Sequence, residues 1–141
     1  MKLVLDASVA ASWLLKRIDL REIAIADQAI EAVQRQGAKA PAIWPTEIAN
    51  TLLTAERKGI SSSPASTKFL ADLATLDIKL ESVDLASMQR STISLARSLQ
   101  LTAYDTTYLE LALRTGSSLA TFDRQLADAF RKLGGHVFGD P

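Results

Sequence analysis

An open parallel α/β sheet with helices on both faces is the fold this sequence predicts. Three observations carry the expectation. Short apolar runs alternate with stretches of helical periodicity along the whole chain, the order that a parallel sheet with crossover helices requires. Two of those runs end abruptly at an acid, Asp6 and Asp123, as strands do where the chain turns at a carboxyl end. The length, 141 residues with 48% hydrophobic and 23% charged side chains, is enough for one buried core rather than two. No internal repeat or long linker interrupts the pattern, and the only low-complexity tract is three serines.

The elements follow in order. Leu3-Val4-Leu5 reads as a buried parallel strand. Residues 7–15 have helical character, with Asp6 or Ser8 available as a cap. From Leu20 to Gln36, Ile23, Ala26, Ile30 and Val33 form one helical stripe that Gly37 stops. Residues 38–43 are extended, and Pro45 suits the first turn of a helix reaching Lys58. Ser63 followed by Pro64 reads as a cap and first helical residue, and that helix, to Thr75, is expected to form a hairpin with the one before. Residues 79–83 read as a third strand. Asp84 then caps a helix to Leu99, with Leu85, Met88, Ile93, Leu95 and Leu99 as its core residues. A helix over 104–115 ends at Gly116, and a strand over 117–122 ends at Asp123. A helix over 124–133 stops at Gly134-Gly135, and Val137-Phe138 is a weakly marked last edge strand.

Composition removes several chemistries. There is no Cys, so thiolate metal sites, disulfides and cysteine nucleophiles are excluded, which fits a reducing cytoplasm. The single His, His136, rules out a histidine-rich metal site, and it is expected to be a loop or strand residue. No apolar stretch is long enough to span a membrane, and Asp6 breaks the first apolar run too early for a signal peptide. Lys+Arg is 16 and Asp+Glu is 16, a net charge of +0 that argues against coating nucleic acid by bulk positive charge.

The informative residues are acids. Asp6 and Asp123 end two strands, and Glu47 and Asp105 fall near two helix starts, so all four can meet beyond the carboxyl edge of the sheet. Each also has an ordinary reading, since an acid at a helix start caps it and favours the helix dipole. Asp84 obeys the same spacing as Asp123. A true cluster has consequences: two carboxylates about 5 Å apart repel by roughly 3 kcal/mol at an effective dielectric of 20. Four together call for a cation or for protons. Oxygen donors without His or Cys select Mg2+ or Mn2+, ions suited to phosphoryl chemistry.

Four blocks carry a resemblance. They are Leu5-Asp6-Ala7-Ser8-Val9, then Pro45-Thr46-Glu47-Ile48-Ala49-Asn50, then the run from Tyr104-Asp105 to Ala112, and the run from Leu119 through Asp123-Arg124 to Ala127. In this order, across nearly the whole chain, they resemble PIN-domain ribonucleases, and within them the VapC-like toxins of type II toxin–antitoxin pairs. The resemblance implies a single PIN domain over residues 1–141, a three-layer α/β/α fold with a central parallel sheet of four to five strands. It implies a Mg2+-dependent endoribonuclease, with Mn2+ as the alternative ion. Asp6, Glu47, Asp105 and Asp123 match the catalytic and metal-binding acids, with Ser8 and Asn50 beside them. Asp84 matches none and returns to the role of a cap. The resemblance further implies a homodimer and a VapB-like antitoxin, and no organic cofactor.

RNA needs positive charge near such a site, and Lys16, Arg17, Arg57, Lys58, Arg97 and Arg124 are the candidates, Arg124 being placed best. Arg124 could instead pair with a site carboxylate. Trp13 falls on the apolar side of its helix and reads as core. Trp44 reads equally as core or as part of a partner groove. Tyr104 and Tyr108 share a helix face, with packing as their expected role, and Phe69, Phe122 and Phe130 read as core. Three competing functions remain: a catalytically idle PIN-like binding module, a receiver-like signalling domain and a DNA-directed nuclease of the same broad group. The second would want paired acids after the first strand, where Asp6 is followed by Ala7-Ser8.

Overall fold

The structure is a computed structural model that describes residues 2–141. Strand β1 (Leu3–Leu5) leads to helices α1 (Ala7–Ala11) and α2 (Leu20–Gln36), then to β2 (Ala38–Pro41). Helices α3 (Trp44–Arg57) and α4 (Ser63–Leu73) precede β3 (Ile78–Glu81). A short helix α5 (Leu85–Ser87), a π-helical turn (Met88–Thr92), α6 (Ile93–Leu99) and α7 (Ala103–Thr115) precede β4 (Ser118–Ala120), and α8 (Arg124–Lys132) closes the set.

The four strands are parallel in the order β3-β2-β1-β4. Val4 sits between Lys39 and Leu119 in register, and Leu3, Val4 and Leu5 are all buried. The chain steps from β1 to β2 to β3 in one direction, then jumps back past β2 and β1 to lay down β4. Right-handed crossovers therefore put the early and late helices on opposite faces, which makes the three-layer α/β/α fold. The reversal lies between β1 and β4, the place where open α/β sheets form a crevice beyond their strand ends. A receiver-like order of 2-1-3-4-5 is not what is seen. Helix α7 packs across β1, β2 and β4, burying Tyr108, Leu109, Leu111 and Ala112.

Most expected elements form, and the departures have physical causes. Ser62, not Ser63, caps α4, its hydroxyl accepting from the Ala65 amide at 3.2 Å. The helix expected from Asp84 to Leu99 is broken by the π-helical turn, which inserts an extra residue and rotates the face that follows. Leu85 is accordingly 87% exposed and not core, and Ile93 is exposed as well, while Leu95 and Leu99 do pack on the core. The last strand shrinks to one bridge between Leu119 and Val137, held by the Leu119 amide on the His136 carbonyl at 3.1 Å and the Phe138 amide on the Leu119 carbonyl at 2.8 Å. Gly135 lies flat against Phe130, where a Cβ would come within 2.5 Å of the ring. Trp44 is buried in the core and also forms part of the floor of an open apolar groove with Pro45, Leu70, Leu73, Leu76 and Leu80, so both of its readings stand. Trp13 is partly buried, its indole donating to the Ala26 carbonyl at 3.0 Å. Among the described residues no helix is long and apolar enough to cross a membrane.

Candidate active site

The crevice between β1 and β4 collects the acids. Asp6 follows β1 and occupies the cap position of α1, yet its carboxylate makes no capping bond. It is buried, and Oδ2 accepts two hydroxyls, Ser8 Oγ at 2.6 Å and Thr121 Oγ1 at 2.7 Å. Those hydroxyls are themselves held by amides: Phe122 N donates to Ser8 Oγ at 3.0 Å and Asp123 N donates to Thr121 Oγ1 at 3.0 Å. The ends of β1 and β4 are thus stitched together through one carboxylate oxygen. Asp123 turns the other way and caps α8, accepting from Leu126 N at 3.0 Å.

Glu47 lies in the first turn of α3, which Pro45 opens, and its Oε1 accepts the hydroxyl of the fully buried Tyr108 on α7. Asp105 lies in the first turn of α7, whose cap, Thr102, accepts from the Asp105 amide at 3.1 Å. Three acids are shifted toward protonation. Burial raises Asp6 most, against the two hydroxyl bonds, with the charge of Asp123 adding to it. Burial also raises Glu47 against its bond from Tyr108, and Asp6 adds to that. Asp105 is pushed up to about 6, first by burial and then by the charges of Asp123, Asp6 and Glu47. Each of the four sequence-predicted acids therefore takes part in one field of mutual repulsion.

This donor set suits a hard divalent cation, since it offers oxygens alone and gains from neutralisation. Among the described residues no three carboxylates are grouped closely enough to hold one ion as they stand, so the four acids are neighbours and not the closed cluster the sequence predicts.

The neighbours expected on sequence divide. Ser8 joins the cluster, whereas Asn50 is exposed one turn after Glu47 and donates to none of the acids. Arg124 is exposed beside Asp123 and, among the described residues, pairs with no carboxylate, so its ion-pair reading falls. Arg17 stacks over Phe122 at 4.7 Å and pairs with Glu22 at 3.1 Å, which places it near this edge as well, while Arg21 and Arg131 line the same cavity as Asp123 but are paired with Asp140. Arg57 and Lys58 end α3, at the far end of that helix from Glu47. Asp84 is a cap, accepting from Ser87 N at 2.8 Å. Thr121 and Tyr108 were missed as site residues. The only sequence signal for Thr121 is a hydroxyl two residues before a strand-end acid, and for Tyr108 its place three residues after Asp105.

No family model matches the sequence. Ribonuclease VapC3 of Pyrobaculum aerophilum is 30% identical over 133 residues, which cover 94% of this chain and 98% of that protein. The chain belongs to the VapC ribonuclease family. Its fold agrees with that membership. The crystal structure of PAE2754 from Pyrobaculum aerophilum superposes with a TM-score of 0.68 at 22% identity, covering 92% of this chain and 86% of that one. A toxin-antitoxin complex from Klebsiella pneumoniae gives 0.65 at 16% identity over 99% and 98% of the two chains. FitAcB from Neisseria gonorrhoeae gives 0.63 at 16% identity over 96% of each. The VapC-type PIN fold is thus shared along nearly the full length.

Proposed function

We propose that this VapC-family chain is a Mg2+-dependent endoribonuclease, with Mn2+ as the alternative ion, and that it acts as the toxin of a VapBC-type pair by cutting RNA and so inhibiting translation or growth. The observation that carries the reading is the gathering of Asp6, Glu47, Asp105 and Asp123 at the switch point of the sheet, where burial first and then the charges of the other three push Asp105 up to about 6. Such a cluster is costly to keep without a cation and supports phosphodiester chemistry with one. Asp6, Glu47, Asp105 and Asp123 would hold the ion, which when bound lowers the pKa of water and offsets charge on the scissile phosphate.

The chain's own residues do the rest. Ser8 and Thr121 fix Asp6 through Oδ2. Tyr108 holds Glu47 by Oε1, so that Oε2 can orient the attacking water and take its proton. Arg17 and Arg124 supply positive charge beside Asp123 for the flanking phosphates. In-line attack by water leaves a 5′-phosphate and a 3′-hydroxyl. The chain offers no histidine at this edge for the metal-independent route, since His136 lies at the tail bridge and bonds Ser118 at 3.0 Å.

The same reading includes a VapB-like antitoxin, a homodimer and a cytoplasmic site of action; the antitoxin is supported by a fold shared with a toxin-antitoxin complex. The test is cleavage of a single-stranded RNA by purified protein with Mg2+, with EDTA, and by Asp6→Asn, followed by mapping of the ends. Cleavage that needs the ion and Asp6 is expected. Cleavage that persists in EDTA would overturn the metal-dependent reading.

A further inference from the structure

Tyr104, which directly precedes Asp105, is 60% exposed and does not pack as its helical spacing predicts. Its ring forms one wall of a cavity of about 240 Å³ whose other walls include Pro41, Ile43, Glu81, Val83 and Met88. The cavity opens on the same edge as the acids. Pro41 ends β2, Ile43 enters α3 one turn before Glu47, and Tyr104 lies in the first turn of α7. Two of its walls therefore belong to the segments that present Glu47 and Asp105.

The chemistry of the walls narrows the occupant. No Lys or Arg lines the cavity, so it offers nothing to a phosphate. Its one charged group is Glu81, whose oxygens are held by Lys39 at 3.5 Å and Arg114 at 3.3 Å. The cations at the site lie instead on the Asp123 side, at Arg17 and Arg124. The edge thus has a phosphate-seeking flank and an apolar flank, with the acids between. The apolar flank is smaller than the usual range for ligand pockets, which fits one planar ring and not a helix.

We propose that this slot takes a single RNA base next to the scissile bond, stacked on Tyr104, and that Glu81 selects a base carrying an exocyclic amine over uracil. The inference rests on the ribonuclease reading and names its specificity. Stacking on an exposed tyrosine is how single-stranded bases are gripped, and a carboxylate accepts well from an exocyclic amine, whereas uracil's one base donor, N3–H, is flanked by two carbonyl oxygens that the carboxylate repels.

The experiment uses the full-length protein and a randomised RNA pool in Mg2+, with sequencing of the cut ends. Wild type is expected to prefer A, C or G over U at one fixed position from the cut. Tyr104→Ala should reduce that preference by at least about fivefold, and Tyr104→Phe should keep it. A preference for U, no preference, or a preference that survives Tyr104→Ala would overturn the slot. So would a change of molecular mass in Tyr104→Ala with the preference intact, because the face would then be a contact between copies. A second readout separates this proposal from the ribonuclease reading. RNA carrying 2-aminopurine is mixed with the Asp6→Asn protein and its fluorescence recorded. Quenching that disappears in the double variant Asp6→Asn, Tyr104→Ala supports the slot even where wild type fails to cut, and no quenching at all overturns it.

Discussion

The junctions after β3 and β4 are built alike and end up doing different things. Each runs strand, acid, helix, and each acid caps its helix, Asp84 on the Ser87 amide at 2.8 Å and Asp123 on the Leu126 amide at 3.0 Å. Yet Asp123 raises both Asp6 and Asp105 by its charge, while Asp84 stands in solvent with its carboxyl lowered by its own capping bond. What separates them is sheet order. β4 lies against β1 at the switch point, and β3 lies on the outer edge with β2 between it and β1. A local pattern nominates an acid, but the strand order decides whether it meets other acids.

The largest expected effects test that division directly. Asp6→Asn and Asp105→Asn should each lower RNA cleavage by on the order of 100-fold or more, since each removes a charge that would hold the ion. Asp84→Asn keeps a good cap and should leave the rate unchanged. Initial rates on one RNA substrate, with circular dichroism to show that each variant folds, decide the matter. An Asp84→Asn protein as inactive as Asp6→Asn would end the comparison.

Next come the groups that hold the acids. Tyr108→Phe frees Glu47 and Thr121→Val takes one hydroxyl from Asp6, and each is expected to cost about 10- to 100-fold in rate, the usual range for residues that orient ligands. A hydroxyl serving packing alone would show a fall in melting temperature without a fall in rate.

Legibility followed the same line between local and distant. The order of the elements and the helix stops at Gly37 after α2 and Gly116 after α7 were readable because they depend on neighbours in sequence, whereas β2, β3 and β4 each end two residues before the expected bound, at Pro41, Glu81 and Ala120, and the four acids stood apart from ordinary caps only through the family resemblance. The roles of Thr121 and Tyr108 were not readable, because their partners Asp6 and Glu47 are brought to them only by the sheet and by the α3–α7 packing. Leu85 misled for a related reason. Periodicity assumes an unbroken helix, and the π-helical turn at Met88–Thr92 breaks the count. Trp44 shows the remaining ambiguity, since one large apolar residue beside a proline reads the same whether it is buried or offered to a partner.

A smaller effect is stabilisation by the ion itself. At about ten times its dissociation constant, Mg2+ should add roughly 1.4 kcal/mol. In a domain of this size that is a rise of several degrees in melting temperature. The rise should vanish in EDTA and in Asp6→Asn and persist in Asp84→Asn. A melting temperature that ignores Mg2+ in the wild type would count against the cluster as an ion site.

The smallest effect concerns pH, and it sets Asp105 and Asp84 in opposite directions. Asp105 has a folded value near 6 against 3.8 ordinarily, so between those values the native state holds the proton more often than the unfolded chain does. Stability of the ion-free protein should therefore fall as pH rises through that window, by about 1 kcal/mol once solvent screening of a half-buried group is allowed for. Asp105→Asn should flatten the fall and leave the ion-free protein more stable at pH 7, the expected trade of activity for stability in a cluster of like charges. Asp84 is lowered, so its capping contribution is present above its ordinary value and is lost as pH falls through the lowered one. Urea titrations from pH 4 to 7 with EDTA, compared between wild type and Asp105→Asn, separate the Asp105 part of a slope to which the raised Asp6 and Glu47 also contribute, and an unchanged slope in Asp105→Asn would assign it to those two. Saturating Mg2+ should reverse its sign, because ion binding requires the ionised carboxylates that destabilise the empty site.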